Sequence, residues 1–240
     1  MKTIETRTRI KICGLTREQD VDAAVAAGAD AIGFVLYPPS PRYVTPQRAA
    51  ELARRLPPFV TPVLLFVNES TAHVIATCHH IPHAIAQFHG EESPADCLAA
   101  TRDGARPYLR AARIPLEPSS PGFDLVTFTH DYSTAQAILL DAHVEGYGGG
   151  GKTFNWSLLP ANVNAHLVLS GGLNAANVTE GIAQLRSRLT PGRTLAVDVS
   201  SGVEVAKGIK DPVKIAAFVA AVRAADAMQL IASSQPNTLA

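Results

Sequence analysis

The chain has 240 residues, of which 47% are hydrophobic and 18% charged, with 21 basic against 21 acidic side chains. That composition describes an ordinary soluble globular domain, long enough to bury roughly three quarters of its unfolded surface. It speaks against a basic nucleic-acid stripe; the chain holds no apolar run of ~18 residues for a membrane span, and the stretch MKTIETRTRIKI lacks the long apolar core expected of a signal peptide. Three scattered cysteines, Cys13, Cys78 and Cys97, form neither a disulfide framework nor a zinc site and suit a reducing cytoplasm.

In chain order, RIKICG (Arg9–Gly14) reads as a first strand. Thr16 and Gln19 make a capping-box pattern before a helical stripe of Val21, Ala24 and Val25, which Gly28 stops. AIGFVLY (Ala31–Tyr37) is a second strand, followed by the proline-rich loop PPSPRYV. Thr45 and Pro46 open a second helix. PVLLFV (Pro62–Val67) is a third strand, Ser70 begins a third helix, and AIAQFHG (Ala84–Gly90) is a fourth strand. This alternation demands a parallel sheet.

The middle is less regular. RPYLRAAR (Arg106–Arg113) reads as a fifth strand and Ile114–Gly122 as a loop, while FDLVTFTH fits a strand, a helix or irregular packing. Ala137–Ala142, His166–Gly172 and Arg193–Ser201 supply strands six to eight. Asn174 caps a helix running to about Arg186, and Asp211 with Pro212 opens the last helix. The pattern is lost near Met228, so residues 1–228 read as one domain and 229–240 as a frayed tail. Eight strands in this length argue for a closed (β/α)8 TIM barrel. The alternative, a doubly wound open sheet, is disfavoured because the first strand–helix turn, CGLTRE, lacks a dinucleotide glycine fingerprint.

On such a barrel the residues just past the strands share one pocket. They are Cys13, the Ser40-Pro41-Arg42 turn, Asn68, His89, Arg110, Asp141, Gly171–Gly172 and Asp198–Ser201. Cys13 is either a small buried hydrophobe or a reactive thiol. Arg42 is a surface arginine or a bidentate carboxylate holder. His89 either ends its strand structurally or orients a substrate. Asp141 follows four apolar residues, where a carboxylate is costly unless paired or used, which favours function. Gly148–Gly151 are a flexible loop or a source of amides for a ligand. Gly171–Gly172 before a helix, beside Ser200–Ser201 after strand eight, favour a phosphate site over simple turns.

With those residues assembled, the chain resembles the phosphoribosylanthranilate isomerases of tryptophan biosynthesis. The resemblance runs from about Lys11 to Asp211, through KICGLT, GFVLYPPSPRYV, LFVN, QFHG, LLDA, GYGGGGKTFNW, LSGGL, VDVSSGVE and GIKD. It implies an Amadori rearrangement, with Cys13 as general base, Asp141 as general acid and Arg42 on the anthranilate carboxylate. It places the phosphate on Gly171–Gly172 and around Ser200–Ser201, with His89 and Asp198 lining the pocket. It implies a small phosphorylated substrate, no metal or organic cofactor, no nucleic-acid or membrane partner, and a monomer or homodimer. Ordinary pKa values, about 8.5 for cysteine and about 3.9 for aspartate, run the wrong way for these roles. The site is therefore expected to favour thiolate at Cys13 and the neutral acid at Asp141.

Three positions depart from the family pattern. GGGG at Gly148–Gly151 stands where GGTG is usual, FNW replaces FDW at Asn155, and Phe88 stands where leucine is usual. The first two are expected to alter binding or loop motion, the third only packing. Other phosphate-binding barrel enzymes would need a metal set or a second acid not found here. A non-catalytic barrel predicts loss of Cys13 or Asp141, and both are present; an obligate partner subunit is a third reading, but with no second catalytic domain in view the chain reads as monofunctional.

Overall fold

Each apolar run forms a strand because its side chains alternate between two buried surfaces. In the computed structural model, which describes residues 7–116, 123–142, 153–161 and 163–234, the strands are β1 (Arg9–Cys13), β2 (Ala31–Val35), β3 (Thr61–Phe66), β4 (Ile85–Phe88), β5 (Tyr108–Ile114), β6 (Ala137–Ala142), β7 (Leu167–Leu169) and β8 (Leu195–Val199). Sequence neighbours pair in order to form a closed barrel, and β8 returns to pair in parallel with β1. The architecture is a TIM barrel, not an open sheet. The helices are α1 (Glu18–Ala27), α2 (Pro46–Ala53), α3 (Thr71–His79), α4 (Pro94–Ala100), α5 (Leu125–Asp131), α6 (Val178–Arg186) and α7 (Pro212–Ser234). After β8, a 3-10 turn (Ser201–Val203) leads into a small hairpin of β9 (Glu204–Ala206) and β10 (Ile209–Lys210).

The alternation divides the core. Ile10, Ile12, Ile32, Phe34, Leu64, Phe66 and Phe88 belong to the large apolar cluster that also takes in the helices. Val63, Leu109, Ala111, Leu139 and Val168 fill the barrel interior as a separate cluster. Cys13, Val35, Leu65 and Val67 form a third cluster at the strands' C-terminal ends. Phe88, at the leucine position of the family pattern, is accommodated between Phe66 and Tyr108, at ring-centroid distances of 6.4 and 5.7 Å.

Several local expectations change. Thr16 does not cap α1; its hydroxyl donates to the Gly208 carbonyl at 2.9 Å, and Arg17 occupies the cap position without a side-chain capping bond. Thr45 and Ser70 do cap their helices, accepting from the Arg48 and His73 amides. The ambiguous FDLVTFTH segment contributes α5, whose first amides are satisfied by Asp124. Asn174 does not start α6: it forms a turn with Asn177, and the helix begins at Val178. Arg106 lies outside β5; its guanidinium instead donates to the Pro82 and Ala84 carbonyls. The last helix continues past Met228 to Ser234. Residues 235–240, most of the Ile114–Gly122 loop and Gly148–Gly151 lie outside the described residues.

Candidate active site

The strands' C-terminal ends open into one pocket. It is lined by Cys13, Arg42, His89, Asp141, Gly171, Gly172, Asp198, Ser200 and Ser201, together with Tyr37, Ser40, Leu65 and Ser170. Barrel closure accounts for this convergence, since it brings β8 beside β1 and joins residues from opposite ends of the chain.

Cys13 ends β1 and is buried. Two residues earlier on the same face, the Lys11 ammonium donates to Asp198 Oδ1 at 2.8 Å, and Ser170 Oγ donates to Asp198 Oδ2 at 3.2 Å. Burial pushes the Cys13 thiol above its ordinary pKa, while Lys11 and, more weakly, Lys210 pull it down. Burial wins, contrary to the expected thiolate-favouring site. For Lys11, burial alone would lower the pKa, but Asp198 and Cys13 outweigh it and hold the ammonium charged. Gly33 makes room for this group, because a Cβ there would stand 2.7 Å from Cys13 Sγ and 3.1 Å from Lys11 Nζ.

Arg42 is held from the opposite side. Its Nε and Nη2 donate to the two Glu204 carboxylate oxygens, each at 2.8 Å. Lys210 donates to the same Glu204 at 2.8 Å and to the Ser200 carbonyl at 3.0 Å. Burial alone would raise Glu204, but Arg42 and Lys210 bring its pKa below the usual value. Burial lowers Lys210, against the pull of Glu204. The paired edge of Arg42 is thus occupied, and only Nη1 is without a protein partner among the described residues.

His89 Nε2 lies 2.9 Å from Asp141 Oδ2, and its Nδ1 lies 3.0 Å from Gln87 Nε2. The other Asp141 oxygen accepts from the Ala142 amide at 3.0 Å. Gly171 crosses close above this carboxylate at φ 76°, where a Cβ would stand 2.8 Å from Asp141 Oδ1. Only glycine combines that backbone with that approach.

The candidate phosphate loops follow β7 and β8. The amides of Gly171, Gly172 and Ser201 donate to no described residue. Because α6 begins only at Val178, any anion here meets loop amides and the 3-10 turn, not the α6 N-terminus.

Two residues expected in the pocket are absent from it. Asn68 has φ 50°; its amide donates to Glu92 and its side chain accepts from the Glu91 amide. Arg110 lies between barrel and helices, donating to the Phe88 and Gly90 carbonyls under the Tyr132 ring. Lys11, Ser170, Glu204 and Lys210 were missed. Lys11 was detectable because it shares parity with Cys13; Glu204 and Lys210 had no local signal. Asn155 keeps a capping role, accepting from the Ser157 amide and hydroxyl at 3.0 and 2.7 Å. Among the described residues, no group of three or more His, Cys, Asp or Glu is arranged to share a metal ion. No described helix is long and apolar enough to cross a membrane.

Comparison with known proteins identifies relatives of the chain. Residues 10–221 match the family of N-(5'phosphoribosyl)anthranilate (PRA) isomerases. The N-(5'-phosphoribosyl)anthranilate isomerase of Leptothrix cholodnii is 61% identical over 228 residues, covering 95% of this chain and 96% of that protein. The crystal structure of phosphoribosyl anthranilate isomerase from Thermotoga maritima superposes with a TM-score of 0.77 at 36% identity, covering 90% of this chain and 99% of that one. A phosphoribosyl anthranilate isomerase in complex with reduced 1-(o-carboxyphenylamino)-1-deoxyribulose 5-phosphate gives a TM-score of 0.72 at 33% identity, with coverage of 90% and 99%.

Proposed function

Since the chain belongs to the phosphoribosylanthranilate isomerase family, enzymes of tryptophan biosynthesis, we propose that it performs the Amadori rearrangement with Cys13 as general base and Asp141 as general acid. The substrate is N-(5-phosphoribosyl)anthranilate and the product 1-(2-carboxyphenylamino)-1-deoxyribulose 5-phosphate. The observation that carries this reading is that Cys13 and Asp141 line one pocket from β1 and β6, with Arg42 and the Gly171–Gly172 and Ser200–Ser201 loops around them.

Asp141 gives its proton to the furanose ring oxygen as the C1'–O bond breaks, and the anilino nitrogen's lone pair forms the Schiff base. Cys13 takes the C2' proton, and the C–H electron pair moves to C1'–C2', giving an enolamine. Tautomerisation of the C2' enol to the ketone, with protonation at C1', completes the balance. No oxidant is consumed. Lys11 offsets part of the burial that disfavours the Cys13 thiolate, and the cationic Schiff base adds a second positive charge nearby. Nη1 of Arg42 is oriented for the anthranilate carboxylate, while Glu204 holds the rest of the guanidinium in place. The loop amides and hydroxyls after β7 and β8 hold the phosphate.

The test is turnover of freshly generated phosphoribosylanthranilate, followed by its fluorescence, with Cys13→Ala and Asp141→Asn beside the unchanged protein. Each substitution is expected to remove at least about two orders of magnitude in kcat. A Cys13→Ala protein with unchanged rate and pH profile would falsify the base assignment.

For assembly, a homodimer is favoured over a monomer. Phe59 is fully exposed at φ 72°, on the rim of an apolar groove containing Val63, Ile85, Leu109 and Val168 at the other end of the barrel. Knob and groove on one face of one chain make a self-complementary contact. Light scattering should give twice the chain mass, falling to one chain in Phe59→Ser.

A further inference from the structure

Gln87 is fully buried at 0% exposure, two residues before His89 on the inward face of β4. Its Nε2 reaches His89 Nδ1 at 3.0 Å, and His89 Nε2 reaches Asp141 Oδ2 at 2.9 Å. Its Oε1 is buried with no hydrogen-bond partner among the described residues. A residue kept only to fill space would avoid that orphan, since methionine is unbranched, of similar length and lacks the amide. The reason for an amide therefore lies at the end that meets His89.

We propose that Gln87 is a positioning residue whose amide sets which ring nitrogen of His89 carries a proton, and so how many protons the His89–Asp141 pair holds. The proposal rests on the reading of Asp141 as general acid. When Gln87 donates Nε2–H to His89, Nδ1 is bare and Nε2–H donates to an ionised Asp141. The pair then holds one proton. When the amide turns over, Oε1 accepts from Nδ1–H, and a second proton is shared between His89 Nε2 and Asp141 Oδ2.

The two-proton state is the loaded acid. Delivery of the shared proton to the sugar ring oxygen leaves a bare Nε2 facing a bare carboxylate. Relocation of the ring proton from Nδ1 to Nε2, with the amide turning back, removes that repulsion and leaves the one-proton state. One proton from solvent reloads the pair while Cys13 returns the C2' proton to solvent, so protons balance over the cycle and no electrons are exchanged. Glutamine serves both states without charge, whereas glutamate only accepts and methionine does neither. Of the other charged groups around the pair, Arg113 stands opposite Asp141 in the β5–β6 register and is ion-paired with Glu91 at 3.2 Å. Asp198, itself ion-paired with Lys11, faces it from β8, and Cys13 from β1. The uncharged neighbours are Leu65 on β3 and Ser170 after β7. None of these touches His89 Nδ1, which is left to Gln87.

The experiment compares Gln87→Met and Gln87→Glu with the unchanged protein. It reads the 15N signals of the His89 ring in the unliganded protein, assigned with His89→Asn, and the pH dependence of kcat. Gln87→Met should mix the two His89 tautomers and lower kcat by about tenfold or more, less than removal of the acid itself, with KM within about twofold. Gln87→Glu should fix the proton on Nδ1, keep the pair loaded to higher pH and shift the alkaline limb of kcat upward. Because glutamate matches glutamine in shape, it keeps the proposal testable if the methionine variant fails to fold. Unchanged 15N signals and an unchanged kcat profile in either folded variant overturn the proposal. If Asp141→Asn is fully active while Gln87→Met still mixes the tautomers, the acid assignment fails and the control of His89 by Gln87 stands.

Discussion

Lys11 Nζ stands 2.8 Å from Asp198 Oδ1, with both side chains buried and register partners across the β1–β8 seam. The same ammonium is one of the charges that pull the Cys13 thiol down against burial. One ion pair therefore spans the closing seam, and its ammonium supports the proposed base while its carboxylate opposes it.

Lys11→Met should separate those two effects from each other. It leaves Asp198 buried and unpaired, which costs ~3–5 kcal/mol of stability in denaturant titration. Lys11→Met/Asp198→Leu should recover much of that loss. In neither variant should Cys13 regain its alkylation rate with iodoacetamide near pH 8, because without Lys11 its pKa rises further and the thiolate fraction falls. Cys97, pushed up by burial to about 12, should stay unlabelled until the protein unfolds.

Glu204→Gln should raise KM more than it lowers kcat, because Glu204 fixes the Arg42 fork and is not itself a proposed acid or base. A tenfold rise in KM corresponds to ~1.4 kcal/mol of binding. Arg42→Lys should raise it further, since an ammonium cannot hold Glu204 bidentately and also reach a substrate carboxylate. Steady-state kinetics on both variants decide this, and a pure kcat effect in Glu204→Gln would count against it.

Acid stability should depend on Asp226. Burial alone would raise its pKa, but the Thr8 hydroxyl and amide and the Arg186 guanidinium bring it below the ordinary value. Its contribution is therefore fully present above the unfolded pKa of about 3.9 and is lost as pH falls through the lower folded value. Glu204 loses its contribution in the same direction, below about 4.3. Asp226→Asn should lower stability at pH 7 by about 2 kcal/mol and flatten the acid limb of a stability–pH curve. A limb as steep as in the unchanged protein would assign the acid sensitivity elsewhere.

Gly171→Ala should impair chemistry and stability together. The left-handed backbone alone costs roughly 1–2 kcal/mol in an L-residue, which for a chain of this size lowers Tm by roughly 2–8 °C. The new methyl group would also press on Asp141 Oδ1 and the Ala142 amide. The expected result is a kcat at least about tenfold lower, with Cys13 alkylation unchanged. A lower Tm with unchanged kcat would show that Asp141 tolerates the displacement.

The sequence by itself determined the barrel and most of its lining. Apolar runs alternating with helical stripes required a parallel sheet, and eight of them in this length argued for closure over an open sheet, which the structure shows. Residues at the strands' C-terminal ends were then expected to converge, which gathered Cys13, His89, Asp141 and Asp198 from strand ends remote in sequence. Parity also carries Lys11 and Gln87, which the reading of strand ends passed over, since each shares a face with the functional candidate two residues on. Only the tertiary structure decided what those polar groups meet. Closure set Asp198 against Lys11, the β9–β10 hairpin brought Glu204 and Lys210 to Arg42, and packing between barrel and helices took Arg110 away from the pocket. Thr16 lost its capping role because Gly208, distant in sequence, offered its hydroxyl a carbonyl. Periodicity records which face a side chain occupies; its partner depends on contacts across the closed barrel, and no local spacing encodes those.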